Sequence, residues 1–383
     1  MMRVLYVLDE FAGGTAGTER QFLQLVAGVR AHEVDVQLMV LRASPALKEL
    51  DHIPTRILGL ESLTSPSALG ALWRLARGAH AARADVAHVF FNDASIACPI
   101  PLRMAGVPVI VSRRDLGFWY TPSALWLLRM NRRAVATVVA NSEAVKREVV
   151  RQERYPENKV TVIHNGWRAP QVCEDRAQVR RALGIPAAAR MLLIVANLRP
   201  LKRVDDAIRI AALALQGDPD VWLAVVGADR QGSAGSERER LTALARELGI
   251  ADRVVFAGSS ADPWPIISAC DIGLLCSETE GLSNTLIEYS AAGKPVVCTR
   301  VGGNEEVVAD AQSGYLYPVG DVAQAADRVA QLLRDPELRG RMGDVGRQLV
   351  ASRFGIEQMV ERHLRLYATV ARGSTDRSGT RLA

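Results

Sequence analysis

Glu280 and Glu288 stand with seven residues between them in the run Ser277-Glu278-Thr279-Glu280-Gly281-Leu282-Ser283-Asn284-Thr285-Leu286-Ile287-Glu288. Carboxylates accept strong hydrogen bonds, so the pair suits the hydroxyl groups of a sugar and a ribose. Gly281 lets the backbone come close to a ligand. Ser283 and Asn284 are favoured helix caps. A helix therefore starts there, and its free N–H groups and dipole can hold a phosphate. Glu280 precedes that helix and Glu288 lies about one turn into it. Gly281, Leu282, Ser283, Asn284, Thr285 and Glu288, with Gly227 at the end of an earlier apolar run, form the candidate ligand-binding set. A second helix start follows Gly302-Gly303-Asn304, and two helix N-termini facing one crevice make a diphosphate site.

Arg199 and Lys202 follow an apolar run at 191–196. Two cations there can neutralise charge that grows on a departing diphosphate. Near the start, Gly13-Gly14-Thr15-Ala16-Gly17-Thr18-Glu19 separates an apolar run at 4–8 from helical spacing at 18–30. Gly14, Gly17, Thr18 and Glu19 are candidates for close contact with a phosphate or a second substrate. The loop is not G-x-G-x-x-G, which argues against a dinucleotide oxidoreductase. His88 ends a strand and can bond a sugar hydroxyl or move a proton. Asp218-Pro219-Asp220 has the D-x-D pattern of metal-dependent transferases, but it stands before the strand at 221–226, on its amino end, and reads as a turn.

The elements that must position these groups alternate. Apolar runs at 4–8, 34–41, 86–90, 107–111 and 135–140 are separated by helical stretches, and the rhythm restarts at 191–196, 221–226, 254–256, 272–275 and 295–299. Repeated βα units mean parallel sheets covered on both faces. The chain of 383 residues is too long for one core and suits two α/β domains, each a Rossmann-like, doubly wound parallel sheet. The expected division is 1–170, 171–355 and a terminal segment 356–383, whose helix at 356–371 packs back toward the first domain and whose tail from Gly373 is polar and disordered. The stretch 165–185 is the expected linker. Aromatics are only 5%, so the cores are expected to be aliphatic.

Net charge is +5, which suits anionic partners, yet no run of like charges marks a nucleic-acid arm. Cys98, Cys173, Cys270, Cys276 and Cys298 have irregular spacing and no C-x-x-C, which argues against a zinc site or disulfide scaffold and for a reducing cytosol. No stretch of about 18 apolar residues reads as a membrane span. Arg129, Arg132, Arg133, Lys146, Arg147, Arg151 and Arg154 lie close to Trp119, Tyr120 and Trp126, a mixture that can rest on an anionic membrane; in the rival reading these are ordinary helix faces, with Trp126 in the core.

The run Glu280–Glu288 resembles the E-x7-E motif of the family 4 retaining glycosyltransferases. The likeness extends through Asp85-Val86-Ala87-His88, Asn141-Ser142-Glu143, His164-Asn165-Gly166, residues 198–202, Val255-Phe256-Ala257-Gly258 and residues 277–306. It implies a GT-B fold whose two domains face a cleft. It implies a nucleotide diphosphate sugar as donor, held at the ribose by Glu288 and near the sugar by Glu280. It also implies retention by front-face substitution, in which the leaving phosphate takes the acceptor proton, with no metal and no other cofactor. Arg199, Lys202, Glu280 and His88 are the expected catalytic set. The family arginine commonly falls where Asn197 stands, a second histidine where Phe90 stands, and a histidine contacting the donor sugar where Arg114 stands. Arg114 is the candidate for an anionic group on the acceptor. The expected reaction moves a hexose-type sugar to a lipid-linked or polysaccharide acceptor in cell-envelope or exopolysaccharide synthesis, in the cytoplasm at the inner face of the membrane. A nucleotide-sugar 2-epimerase and a non-catalytic nucleotide-sugar binder are the competing readings.

Overall fold

The computed structural model describes residues 1–14, 17–170, 175–229 and 236–378, with side chains through residue 373. Two compact units result. One is Met1–Gly166 together with the segment from Ile356 onward, and the other is Trp167–Gly355.

The first unit holds seven parallel strands: β1 (Arg3–Leu8), β2 (Asp35–Val40), β3 (Thr55–Ile57), β4 (Val86–Val89), β5 (Val109–Arg113), β6 (Val135–Ala140) and β7 (Val160–Val162), in the order β3-β2-β1-β4-β5-β6-β7. Side chains alternate across the sheet, so both faces must be covered. Val4, Tyr6 and Leu8 meet Phe22, Leu25 and Val29 of the helix Gly17–Arg30, with Ile356, Met359 and Tyr367 of the terminal helix. Leu5 and Val7 pack with Leu75 and Ala79 of the helix Ala68–Ala81 on the opposite face.

The second unit holds six: β8 (Arg190–Val195), β9 (Val221–Val226), β10 (Val254–Gly258), β11 (Ile272–Leu275), β12 (Val296–Thr299) and β13 (Gly314–Tyr317), in the order β10-β9-β8-β11-β12-β13. Leu192 and Ile194 bury against the helices Val204–Gly217 and Val322–Arg334. Met191 and Leu193 bury against the helix Asn284–Ala291.

The division falls between Gly166 and Trp167 rather than after residue 170. Gln21 clamps Gly166 through Nε2 to its carbonyl at 2.8 Å and from its N–H at 2.9 Å. Trp167 instead donates its N–H to Phe354 O at 2.7 Å, within the second unit. The expected linker is also partly ordered fold: Asp175 caps the helix Arg176–Ala182, and buried Arg180 bonds the carbonyls of Ala269, Ala187 and Ala189. Residues 171–174 of that stretch, with Cys173, lie outside the described residues. The terminal helix runs Ile356–Ser378, past the expected end at 371 and through Gly373, and it belongs to the first unit.

Candidate active site

In open α/β sheets, ligands sit outside the carboxyl ends of the strands where the strand order reverses. In the second unit that point lies between β8 and β11. Most of the charged and capping residues named above converge there. The 196–203 loop leaves β8, makes a tight turn at Pro200–Lys202, and passes Arg203 in the left-handed conformation at φ 48°. The next loop, leaving β11, is tied to it: Glu278 donates its N–H to Leu201 O at 2.9 Å, and Arg203 bridges Glu278 at 3.1 Å and Asp206 at 2.6 Å.

Lys202 and Glu280 meet directly. Lys202 Nζ lies 2.6 Å from Glu280 Oε1, and Ser277 Oγ donates to the same oxygen at 2.7 Å. Ser277 is fully buried, and its carbonyl accepts from Thr299 Oγ1 at 2.7 Å, while Asn304 Nδ2 donates to Thr299 O at 2.9 Å. A hydrogen-bonded chain thus runs from the end of β12 through the end of β11 to the Lys202–Glu280 pair. Gly303 closes the arrangement by donating its N–H to Gly281 O at 3.1 Å.

The helix Asn284–Ala291 begins at this pair. Ser283 caps it by accepting the Leu286 N–H at 3.3 Å, and Thr285 Oγ1 donates to Val195 O at 3.3 Å. Gly281, Leu282, Ser283 and Glu288 are buried, and Asn284 and Thr285 are half-buried. Tyr289 staples the helix to β8, its hydroxyl donating to Leu193 O at 2.9 Å and accepting the Val195 N–H at 3.1 Å. Arg199 is exposed, and among the described residues its side chain meets no partner. Gly227 has a packing reason to be glycine: a Cβ there would stand 1.9 Å from Ala196 O. Asp218-Pro219-Asp220 is a turn, in which Asp218 Oδ1 accepts the Asp220 N–H at 3.0 Å.

The first-unit candidates divide. Gly14 donates its N–H to Glu49 Oε2 at 3.0 Å, Gly13 has φ +103°, and Thr15 and Ala16 lie outside the described residues. Gly17, Thr18 and Glu19 form the first turn of the helix Gly17–Arg30, with Glu19 buried. His88 is corrected from catalytic to structural. It is wholly buried, with Nδ1 2.8 Å from Tyr367 Oη and Nε2 2.9 Å from Ser112 Oγ, and Tyr367 Oη is 3.1 Å from Tyr6 Oη. Burial holds its imidazole well below the usual histidine range, so it stays neutral. Both nitrogens are engaged, Nδ1 with the terminal helix through Tyr367 and Nε2 with Ser112 of β5. Arg114 is half-buried, with one N–H donated to Asn165 Oδ1 at 2.8 Å. Trp126 is 61% exposed on the helix Pro122–Asn131, not in the core.

Sequence reasoning gave Ser277, Thr299 and Tyr289 no role. A signal for Ser277 was present, as a hydroxyl next to a strand end and three residues before a candidate carboxylate.

Two doubly wound parallel sheets, the second with paired charge and a capped helix at its switch point, define a GT-B architecture. The model of glycosyl transferases group 1 matches residues 175–349 and that of Glycosyltransferase Family 4 matches 15–168, so each unit matches a glycosyltransferase family model. Among solved structures it is similar to a glycosyltransferase from Rickettsia africae (TM-score 0.86, 17% identity, 96% of this chain and 98% of that one). It is likewise similar to Anabaena Alr3699/HepE in complex with UDP (TM-score 0.82, 22% identity, 96% and 100%). Curated relatives include the N-acetyl-alpha-D-glucosaminyl L-malate synthase of Bacillus anthracis, 34% identical over 52% of this chain and 50% of that protein. A D-inositol 3-phosphate glycosyltransferase of Acidothermus cellulolyticus is 37% identical over 50% and 44%. The lipopolysaccharide core biosynthesis glycosyltransferase LpsE of Rhizobium meliloti is 31% identical over 52% and 54%. The chain thus spans about half the length of the curated relatives it matches.

Proposed function

We propose that the protein is a retaining hexosyltransferase that uses a nucleotide diphosphate sugar. The observation that carries this reading is the convergence of Lys202, Glu280 and the Ser283-capped helix at the β8–β11 switch point. The structural neighbour HepE, seen with UDP and with UDP-glucose, supports the donor class. The helix N-terminus and Lys202 take the diphosphate, with Arg199 free to join from solvent. Glu288 takes the ribose and Glu280 the sugar. Because Lys202 already pairs with Glu280, the arriving diphosphate competes for the ammonium and releases the carboxylate toward sugar hydroxyls. The bond from the anomeric carbon to the diphosphate oxygen breaks as the acceptor oxygen joins the same face, and the leaving phosphate oxygen takes the acceptor proton. Protein cations supply the charge neutralisation, so the reaction proceeds without a metal.

The acceptor is a hydroxyl-bearing, anionic saccharide or lipid-linked glycan of envelope or exopolysaccharide synthesis. The relatives named for malate and inositol phosphate support a hydroxyl-bearing anion, and the one named for lipopolysaccharide core supports an envelope glycan. Among the described residues no helix is long and apolar enough to cross a membrane. The exposed side chains of Phe118, Trp126 and Met130, with exposed Arg133 beside them, support peripheral contact with an anionic bilayer.

The test is a panel of UDP-, GDP- and ADP-sugars scored by nucleotide release, with and without a membrane lipid extract and EDTA. One donor should give release that depends on extract and persists in EDTA. Epimer formation from donor alone, or donor binding with no turnover, would overturn the transferase reading.

A further inference from the structure

Arg113 and Arg114 are adjacent arginines at the carboxyl end of β5, and their surroundings are opposite. Arg113 is buried in a two-pronged pair with Glu153, Nε to Oε1 at 2.7 Å and Nη2 to Oε2 at 2.9 Å, with Tyr120 Oη donating to the same carboxylate at 2.5 Å. Its charge is matched. The Arg114 guanidinium makes one hydrogen bond, to the neutral amide of Asn165, and lies 5.5 Å from the Phe90 ring centroid. Its Nε is buried with no acceptor, and among the described residues no carboxylate stands within ion-pair distance of it. Burial lowers its pKa to about 10, outweighing the smaller opposing influences of Tyr367 and Glu19. A partly desolvated cation whose nearest carboxylate influence, Glu19, is too weak to offset its burial is costly, and an anionic ligand would relieve that cost.

The position agrees with that reading. Phe90 follows β4, Arg114 follows β5, Asn165 follows β7, and Glu19 lies in the first turn of the helix after β1. Segments that follow four strands therefore lie at the carboxyl edge of this sheet, whose strand order reverses between β1 and β4. Guanidinium is planar, permanently charged and shaped for two parallel bonds to an oxyanion. We propose that Arg114, with Asn165, forms an oxyanion site that reads a phosphate or carboxylate group of the acceptor. The proposal rests on the transferase reading for the word acceptor, but not for the binding itself.

The test titrates inorganic phosphate and, separately, succinate into the protein carrying Lys202→Ala and Arg199→Ala, which together remove the two cations of the donor site. Arg114→Gln in that background should weaken the tighter of the two anions about tenfold or more, and Arg114→Lys less. The anion that binds tighter indicates whether the acceptor carries phosphate or carboxylate. Without anion, Arg114→Gln should melt at the same temperature or higher, because an unmatched charge has been removed. Equal affinity with and without Arg114, or a lower Tm for Arg114→Gln, would overturn the site. Failure of the transferase reading would show separately, as wild-type protein that releases no nucleotide while its phosphate titration stands.

Discussion

Tyr289→Phe removes one oxygen atom and tests whether the helix Asn284–Ala291 is held to β8 by a side chain rather than by packing alone. The ring is fully buried and lies over Gly273, where a Cβ would come within 2.5 Å of its Cδ2, so phenylalanine fills the same space. What changes is the bonding. Val195 loses the acceptor of its N–H at 3.1 Å, and Leu193 O loses a donor at 2.9 Å. Leaving one buried backbone donor stranded costs about 1–3 kcal/mol, so the variant should be less stable by about 2 kcal/mol. For a unit of this size that lowers Tm by about 4–8 °C. It should also speed hydrogen exchange of the Val195 amide by about 30-fold, the ratio equivalent to about 2 kcal/mol. Donor KM should rise several-fold, because Thr285 and Glu288 ride on the loosened helix. Both melting and amide exchange resolve the effect without any substrate. If Tm held and the Val195 amide stayed protected, the staple would carry no energy and the account of how the site is positioned would fail.

Lys202→Ala should lower kcat about 100-fold or more, the usual cost of removing one preorganised charge, with the Tm of the second unit nearly unchanged; undiminished turnover would refute the phosphate role. Ser277→Ala should lower kcat, but less than Lys202→Ala, since Glu280 loses one of two bonds to a single oxygen; a kcat identical to wild type would leave Ser277 a packing residue. Gly227→Ala drives a Cβ into Ala196 O and should destabilise the second unit by about 1–3 kcal/mol, read by urea unfolding. His363 is fully buried, with Nδ1 donating to Met359 O at 2.9 Å, and burial lowers its pKa to about 4. In the unfolded chain a histidine titrates near about 6.5. The fold therefore keeps this stability above about pH 6.5 and loses it as pH falls toward 4, by up to about 3 kcal/mol, with His88 acting in the same direction. Urea midpoints at neutral pH and at pH 5 check the sign, and a midpoint that rose on acidification would contradict it.

The repeated apolar runs made the two parallel sheets legible, because strands buried on both faces need several apolar residues in succession. Strands without such an apolar run were hidden. β3 is exposed along its whole length at the sheet edge, β7 has only three residues, and β13 reads Gly-Tyr-Leu-Tyr and follows a turn. The donor-side motif was legible because its parts are local: Glu280, Gly281, Ser283 and Glu288 sit within one loop and one helix. Its completion was not, since Lys202 reaches Glu280 across 78 residues.

The same distinction separates the two histidine and arginine readings on the first unit. His88 looks like a site residue because it ends a strand at the ligand-binding edge. What removes it from chemistry is Tyr367, 279 residues further on, carried back by the terminal helix. Arg113 and Arg114 are the same residue type one position apart, and the pleat sends successive side chains to opposite faces. One finds Glu153, 40 residues along, and the other finds an amide and a ring. Charge in a motif therefore indicates chemistry only after its counter-charge has been located. By that criterion Lys202 already has its counter-charge in Glu280, whereas the Arg114 guanidinium has only an amide and a ring beside it.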